Sequence, residues 1–176
     1  INSDNFRASR SENCPPLAEA GINIRYNRSE IIYPQDWEKS PVFHKDLDTR
    51  VSILKLHPGI TPQVVRSILC SNGPRAVIIE TYGAGNAPSK EWFLNLVREA
   101  ASMGKILLNI TQCIAGSVNM DIYATGKCLK EAGVANGYDS TTESALAKLF
   151  HLMGISDSNE DVQNGLENNL RGEISK

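Results

Sequence analysis

Apolar and polar positions change their rhythm near residue 50. Before it, residues 1–21 are mostly polar, with Pro15 and Pro16 leading into Leu17, Ala18 and Ala20. Pro16 suits the first turn of a short helix, and Gly21 suits its end. Residues 22–26 alternate apolar and polar, which predicts a half-buried strand with no neighbour evident in the sequence. Residues 27–49 carry Pro34, Pro41 and scattered charges without a period, and read as a linker or hairpin.

From residue 51 the pattern becomes regular. Val51 to Leu56 predicts a strand, and Thr61 followed by Pro62 predicts a capped helix running to about Cys70. Ala76 to Ile79 is a short, wholly apolar strand. After a glycine-containing loop, Ser89 is placed to cap a helix that runs to about Ser102 and ends at Gly104. Ile106 to Ile110 is a third strand. A polar loop, 111–120, leads to a helix from about Tyr123 to Gly133. Ser140 with Glu143 has the spacing of a capping box before Leu146, Leu149 and Met153. A last helix is expected over about 158–169. Strands alternating with helices predict an α/β fold with a parallel sheet, flanking helices and right-handed crossovers. Ligands of such sheets bind beyond the carboxyl ends of the strands, which makes loops 81–88 and 111–120 the candidate surface.

Composition narrows the function classes. The 176 residues are 41% hydrophobic and 22% charged, with a net charge of -2 and no basic stripe. That argues against nucleic acid as a partner. No apolar run approaches the roughly 20 residues of a membrane span. The four cysteines, Cys14, Cys70, Cys113 and Cys128, lack zinc or redox spacing. Cys70 and Cys113 read as buried thiols in a reducing compartment. His44, His57 and His151 are scattered, so no metal site is expected.

Chemistry concentrates in the loops. Tyr82 to Pro88 holds two glycines one residue apart, which permits a tight turn and close backbone approach. The same residues serve equally as an anion cradle or a plain βα turn, and both dinucleotide and phosphate-loop spacings fail. The Asn86 amide both donates and accepts, which suits recognition of an amino acid or of a neighbouring backbone. Asn109, Thr111, Gln112 and Cys113 form a second polar group, readable as site or as turn. Asn119, Asp121 and Tyr123 precede a helix, and Asp121 reads first as its N-cap. No serine elbow and no serine–lysine nucleophile motif is present.

Several segments together resemble the C-terminal domain of the type I (cytoplasmic-type) L-asparaginases: TYGAGNAP at 81–88, NITQCIAGSVNMDIYATG at 109–126, GVANGYDSTTESALAKL at 133–149 and the tail from Asn169 to Glu173. Residues 10–21 resemble the end of that family's N-terminal domain. The resemblance implies a division into residues 1–26, the severed end of an upstream α/β domain; 27–49, an interdomain linker; and 50–176, a flavodoxin-like C-terminal domain. The start at Ile1, without a signal-peptide core, leads to the expectation that an upstream segment has been removed.

The family's chemistry, by this resemblance, is hydrolysis of L-asparagine to L-aspartate and ammonia. An upstream threonine nucleophile acts through an acyl-enzyme, without metal or cofactor. The resemblance makes Asn86 and Tyr123 supporting residues of the substrate site and subunit interface, and Glu80 and Cys113 the candidate regulatory positions. Glu80 stands where an arginine is expected, so no regulatory asparagine is expected to bind there. A cytoplasmic homodimer or homotetramer is implied. The fragment alone is expected to be inactive. Two other readings stay open: a stand-alone amino-acid-binding or regulatory module, and the asparaginase-like subunit of a tRNA-dependent amidotransferase.

Overall fold

The computed structural model describes residues 12–34 and 38–175. Two compact units divide between Phe43 and His44. In the first, β1 (Ala18–Ala20) pairs antiparallel with β2 (Ile24–Tyr26), Ala18 lying opposite Tyr26. The helix expected after Pro16 is therefore a strand, and the strand expected to lack a neighbour has one. A helix of about five residues never repays its nucleation, whereas the pairing fixes both segments at once. Both strands are exposed along their length, and a two-stranded hairpin by itself is marginal in water.

The second unit is built on a parallel sheet. Its elements are β3 (Val51–Lys55), α1 (Pro62–Leu69), β4 (Ala76–Thr81), α2 (Glu91–Ser102), β5 (Ile106–Thr111), α3 (Ala124–Glu131), β6 (Ala135–Asn136), α4 (Thr142–Ile155) and α5 (Asn159–Leu166). The strand order is sequential, β3-β4-β5-β6, and every pair is parallel. The α/β fold with a parallel sheet and flanking helices is thus present as expected.

Sequential order has a packing consequence. Right-handed crossovers that always step the same way put every crossover helix on one face. Val77, Ile79 and Leu107 accordingly pack with Val65 and Leu69 of α1, Phe93 and Val97 of α2, and Leu129 of α3. Side chains alternate along a strand, so Ile78, Leu108 and Ile110 face the other way. There they meet Leu149 and Met153 of α4 and Val162 of α5. The chain's last two helices therefore seal the face that the crossovers leave bare. All six positions of β4 and of β5 are buried, which explains their lack of alternation in the sequence.

Several helix ends differ from expectation. Lys90, not Ser89, stands at the N-cap of α2, and makes no side-chain cap. Thr141, not Ser140, caps α4 by accepting from Ser144 N. Tyr123 begins α3, so Asp121 lies too far upstream to cap it. Gly104 and Gly133 end α2 and α3 with φ of 78° and 84°. β6 is two residues long, too short to leave a sequence pattern.

The sheet's amino end is tied by charge. Arg75, just before β4, donates Nε to Asn159 Oδ1 at 2.9 Å and its terminal nitrogens to Met153 O and Ser156 O at 3.0 Å. It also lies 3.6 Å from Asp48. Arg50, donating to Asp48, holds that carboxyl down at about 2 against the opposing effect of burial, with Arg75 adding to the shift. Asp48 N donates to Phe150 O of α4 at 3.1 Å. Beside it, a Cβ on Gly154 would overlap the backbone of Asp46 and Leu47, so only glycine lets this stretch lie on α4.

Candidate functional site

The two predicted loops leave adjacent strands at the sheet's carboxyl end. After β4, the chain reverses within five residues: Tyr82 N donates to Asn86 O, and Asn86 N to Tyr82 O, both at 2.8 Å. Gly83 and Gly85 take φ of 50° and 100°, values an L side chain resists. Gly85 is further constrained by space, since a Cβ there would come within 2.7 Å of Val118 Cγ1. A tight turn packed on the second loop thus accounts for the glycine spacing.

Asn109 is the hinge between the loops. It is fully buried. Its Oδ1 accepts from Thr81 Oγ1 at 2.6 Å, and its Nδ2 donates to Gly85 O at 3.3 Å. Thr111 Oγ1 donates to Gly83 O at 2.6 Å and accepts from Cys113 N at 3.0 Å. Gln112 Nε2 donates to Leu56 O and Glu80 O, at 2.6 and 2.7 Å, and so spans the ends of β3 and β4. Asn119 N donates to Ala84 O at 2.9 Å, bringing the far side of the second loop onto the first. The polar residues of the two loops are therefore mostly occupied with one another. Burying such groups is tolerated only when they are paired, and this set is paired throughout.

Asn86 is half-buried, and its Oδ1 accepts from Thr125 Oγ1 in α3 at 3.2 Å. Thr125 was not legible as a site residue, because it lies 39 positions away in sequence. Tyr123, at the start of α3, is 49% exposed, and Ile122 and Ile114 beside the same loop are exposed too. The structure thus links Asn86 to the first turn of α3 and presents Tyr123 outward. Asp121 pairs with Lys130 at 2.9 Å, and donation to Asp121 raises the lysine above its ordinary value.

Glu80 and Cys113 behave differently. Glu80 is nearly buried on the α4 face of the sheet. One oxygen accepts from Thr142 Oγ1 at 2.7 Å, and the other lies 3.3 Å from Lys55. Cys113 is exposed, contrary to the buried thiol expected. The loop Cys113 belongs to turns outward after Thr111 instead of continuing the apolar strand. Cys70 is partly buried, and burial pushes its thiol up.

Gly137 and Tyr138 belong to the site although the sequence pattern did not single them out. A Cβ on Gly137 would sit 2.5 Å from Ile110 Cγ2 and 2.7 Å from Asn109 O, so glycine is needed beside the hinge. The Asn136-Gly137 pair, a common turn dipeptide, was the available signal. Tyr138 has φ of 51° and accepts from Val118 N through its carbonyl at 2.8 Å.

Among the described residues, no three His, Cys, Asp or Glu side chains gather as metal ligands. Among the same residues, no helix is long and apolar enough to cross a membrane. What remains is a set of neutral, interlocked amides and hydroxyls. Such groups hold geometry and donate hydrogen bonds, and the hydroxyls that join the two loops, those of Thr81 and Thr111, donate to neutral amide and carbonyl oxygens instead of to a base that would make a nucleophile.

The fold and site define a parallel α/β domain that presents glycine turns and buried amides at the carboxyl end of its sheet. Residues 50–166 match the Glutaminase/Asparaginase C-terminal domain, and the chain belongs to that family. L-asparaginase 1 of Escherichia coli strain K12 is 38% identical over 174 residues, 99% of this chain and 51% of that protein. The 60 kDa lysophospholipase of Mus musculus is 37% identical over 99% of this chain and 31% of its own length. A glutamyl-tRNA(Gln) amidotransferase subunit of Methanopyrus kandleri is 30% identical over 95% and 37% respectively. The crystal structure of L-asparaginase I from Vibrio cholerae superposes with a TM-score of 0.86 at 39% identity, covering 95% of this chain and 50% of that one. The chain spans about half the length of the asparaginases it matches, and less of the others.

Proposed function

We propose that this chain is the C-terminal part of an L-asparaginase that hydrolyses L-asparagine to L-aspartate and ammonia. The observation that carries the reading is the 38% identity to L-asparaginase 1 along 99% of the chain, with the loop segments included. In this reading residues 1–26 end an N-terminal domain, 27–49 link, and 50–176 form the C-terminal domain. A threonine supplied upstream attacks the side-chain amide carbon, ammonia leaves with the transferred proton, and water releases aspartate from the acyl-enzyme.

This domain's part is positional. Asn86 fixes the turn beside α3, and Tyr123 with its exposed neighbours forms the face that completes a site across a dimer or tetramer interface, in the cytoplasm. The support is geometric: Asn86 is tethered to Thr125, whereas Tyr123 is presented outward. Glu80 binds no regulatory asparagine. Its oxygens are already engaged by Thr142 and Lys55, and a carboxylate repels the ligand's own.

The test is ammonia release from L-asparagine, measured for the complete coding sequence and for residues 1–176 alone. Activity in the first and none in the second is expected. An inactive complete product, or an active 176-residue chain, overturns the proposal. A second reading draws on the lysophospholipase and amidotransferase similarities. Fatty-acid release from a lysophospholipid and ammonia release from glutamine, measured on the same preparation, separate these activities from asparagine hydrolysis.

A further inference from the structure

The C-terminal end of α5 reaches back to the loop surface through one carboxylate. Glu167 Oε1 accepts from Asn136 N at 3.0 Å, and its Oε2 meets the Tyr138 hydroxyl at 3.5 Å. Asn136 Oδ1 accepts in turn from Tyr138 N at 2.9 Å. Between them these contacts hold Tyr138 in the left-handed region, at φ 51°, as the one non-glycine residue found there among those described. A residue in that conformation persists only where its surroundings over-determine it. What the conformation achieves is visible in the next contact. It aims the Tyr138 carbonyl at Val118 N, 2.8 Å away. Val118 Cγ1 is the atom against which Gly85 is packed, and Gly85 precedes Asn86 in the turn.

We propose that Glu167 is a positioning residue for the Asn86 turn, acting through Tyr138 and Val118. It touches no reacting atom. By fixing Tyr138 it sets the height of Val118, and Val118 sets how closely the glycine turn lies on the sheet. The inference concerns this chain's own geometry, and its consequence for catalysis rests on the asparaginase reading above.

The experiment compares wild type, Glu167→Ala and Glu167→Gln. Gln retains an oxygen that accepts from Asn136 N, so it is the conservative rescue. The first readout is hydrogen exchange at the Val118 amide. Loss of a hydrogen bond to a charged acceptor predicts exchange faster by on the order of 10-fold in Glu167→Ala, with most of the protection regained in Glu167→Gln. Amides of β4 and β5 should keep their wild-type protection. The second readout is asparagine hydrolysis by the complete coding product. Glu167→Ala should lower kcat about 10-fold or raise KM to match, without lowering Tm in proportion, and Glu167→Gln should recover. Unchanged Val118 exchange overturns the proposal. So does equal loss of protection throughout the sheet, which would make Glu167 a general stabiliser. If the wild-type product hydrolyses no asparagine, the asparaginase reading fails, while Val118 exchange still decides the positioning role.

Discussion

The two ends of the sheet are held together by different chemistry. At the amino end, Arg75 and Asp48 tie the start of the second unit to the end of α4 and to Asn159 at the start of α5, using charge. At the carboxyl end, Thr81, Asn109, Thr111 and Gln112 tie two loops together without a formal charge among them. Charged ties gain more per contact and lose more when one partner is removed. Neutral amide networks contribute less each, but fix direction. The amino end should therefore govern stability, and the carboxyl end should govern how the turn bearing Asn86 is presented.

Four substitutions test that contrast. The largest effect is expected at Arg75. Arg75→Met leaves two carbonyls and Asn159 Oδ1 without their donor and removes one of the two cations beside Asp48, and should cost about 3 kcal/mol in urea unfolding. Activity per folded molecule should stay at the wild-type level. Next is Gly85→Ala, where positive φ and the approach to Val118 combine. It should cost about 2 kcal/mol, and also lower asparagine hydrolysis by the complete product. If activity survives intact, the turn is structural only.

Asp48→Asn should be milder, at about 1–2 kcal/mol near neutral pH. Its sign is fixed by the depressed carboxyl. Asp48 titrates at about 2 when folded, so its contribution is present above the ordinary unfolded value of about 3.9. The contribution is lost as the pH falls towards 2. The gap between wild type and Asp48→Asn in melting temperature should therefore close over that window, and a gap constant with pH would contradict the assignment. The smallest stability effect belongs to Asn86→Ala, under about 1 kcal/mol, because only the bond from the Thr125 hydroxyl is lost. It should nevertheless reduce activity more than any of the others, and equal activity with wild type would remove Asn86 from the site.

The sequence made some of this legible and hid the rest for physical reasons. Periodicity located the buried strands β4 and β5 and the helices α1 to α5 of the described residues, since apolar runs and proline or glycine boundaries are local properties. The segment 17–20 misled because Leu17, Ala18, Glu19 and Ala20 are good helix formers, and pairing with Ile24–Tyr26 overrode them. The polar residues of loops 81–88 and 111–120 were visible as a group. Their wiring was not, because Asn86 finds Thr125 and Glu80 finds Thr142, 39 and 62 positions away. Arg75 gave no signal at all, since two of its acceptors are main-chain carbonyls 78 and 81 residues on, which have no sequence signature, and the third is the Asn159 side chain 84 residues away.

Gly154 acts by a different route. Glycine weakens a helix, yet α4 carries one in its last turn because the backbone of Asp46 and Leu47 lies where a side chain would be. That is a contact of main chain on main chain, made by shape alone. Added salt screens the pairing of Asp48 with Arg50 and Arg75, but leaves this contact untouched. Beside the main-chain bond from Asp48 N to Phe150 O, the start of the second unit therefore has a charged fastening and one made by shape. Ionic strength weakens the charged one, and only a substitution at residue 154 releases the other.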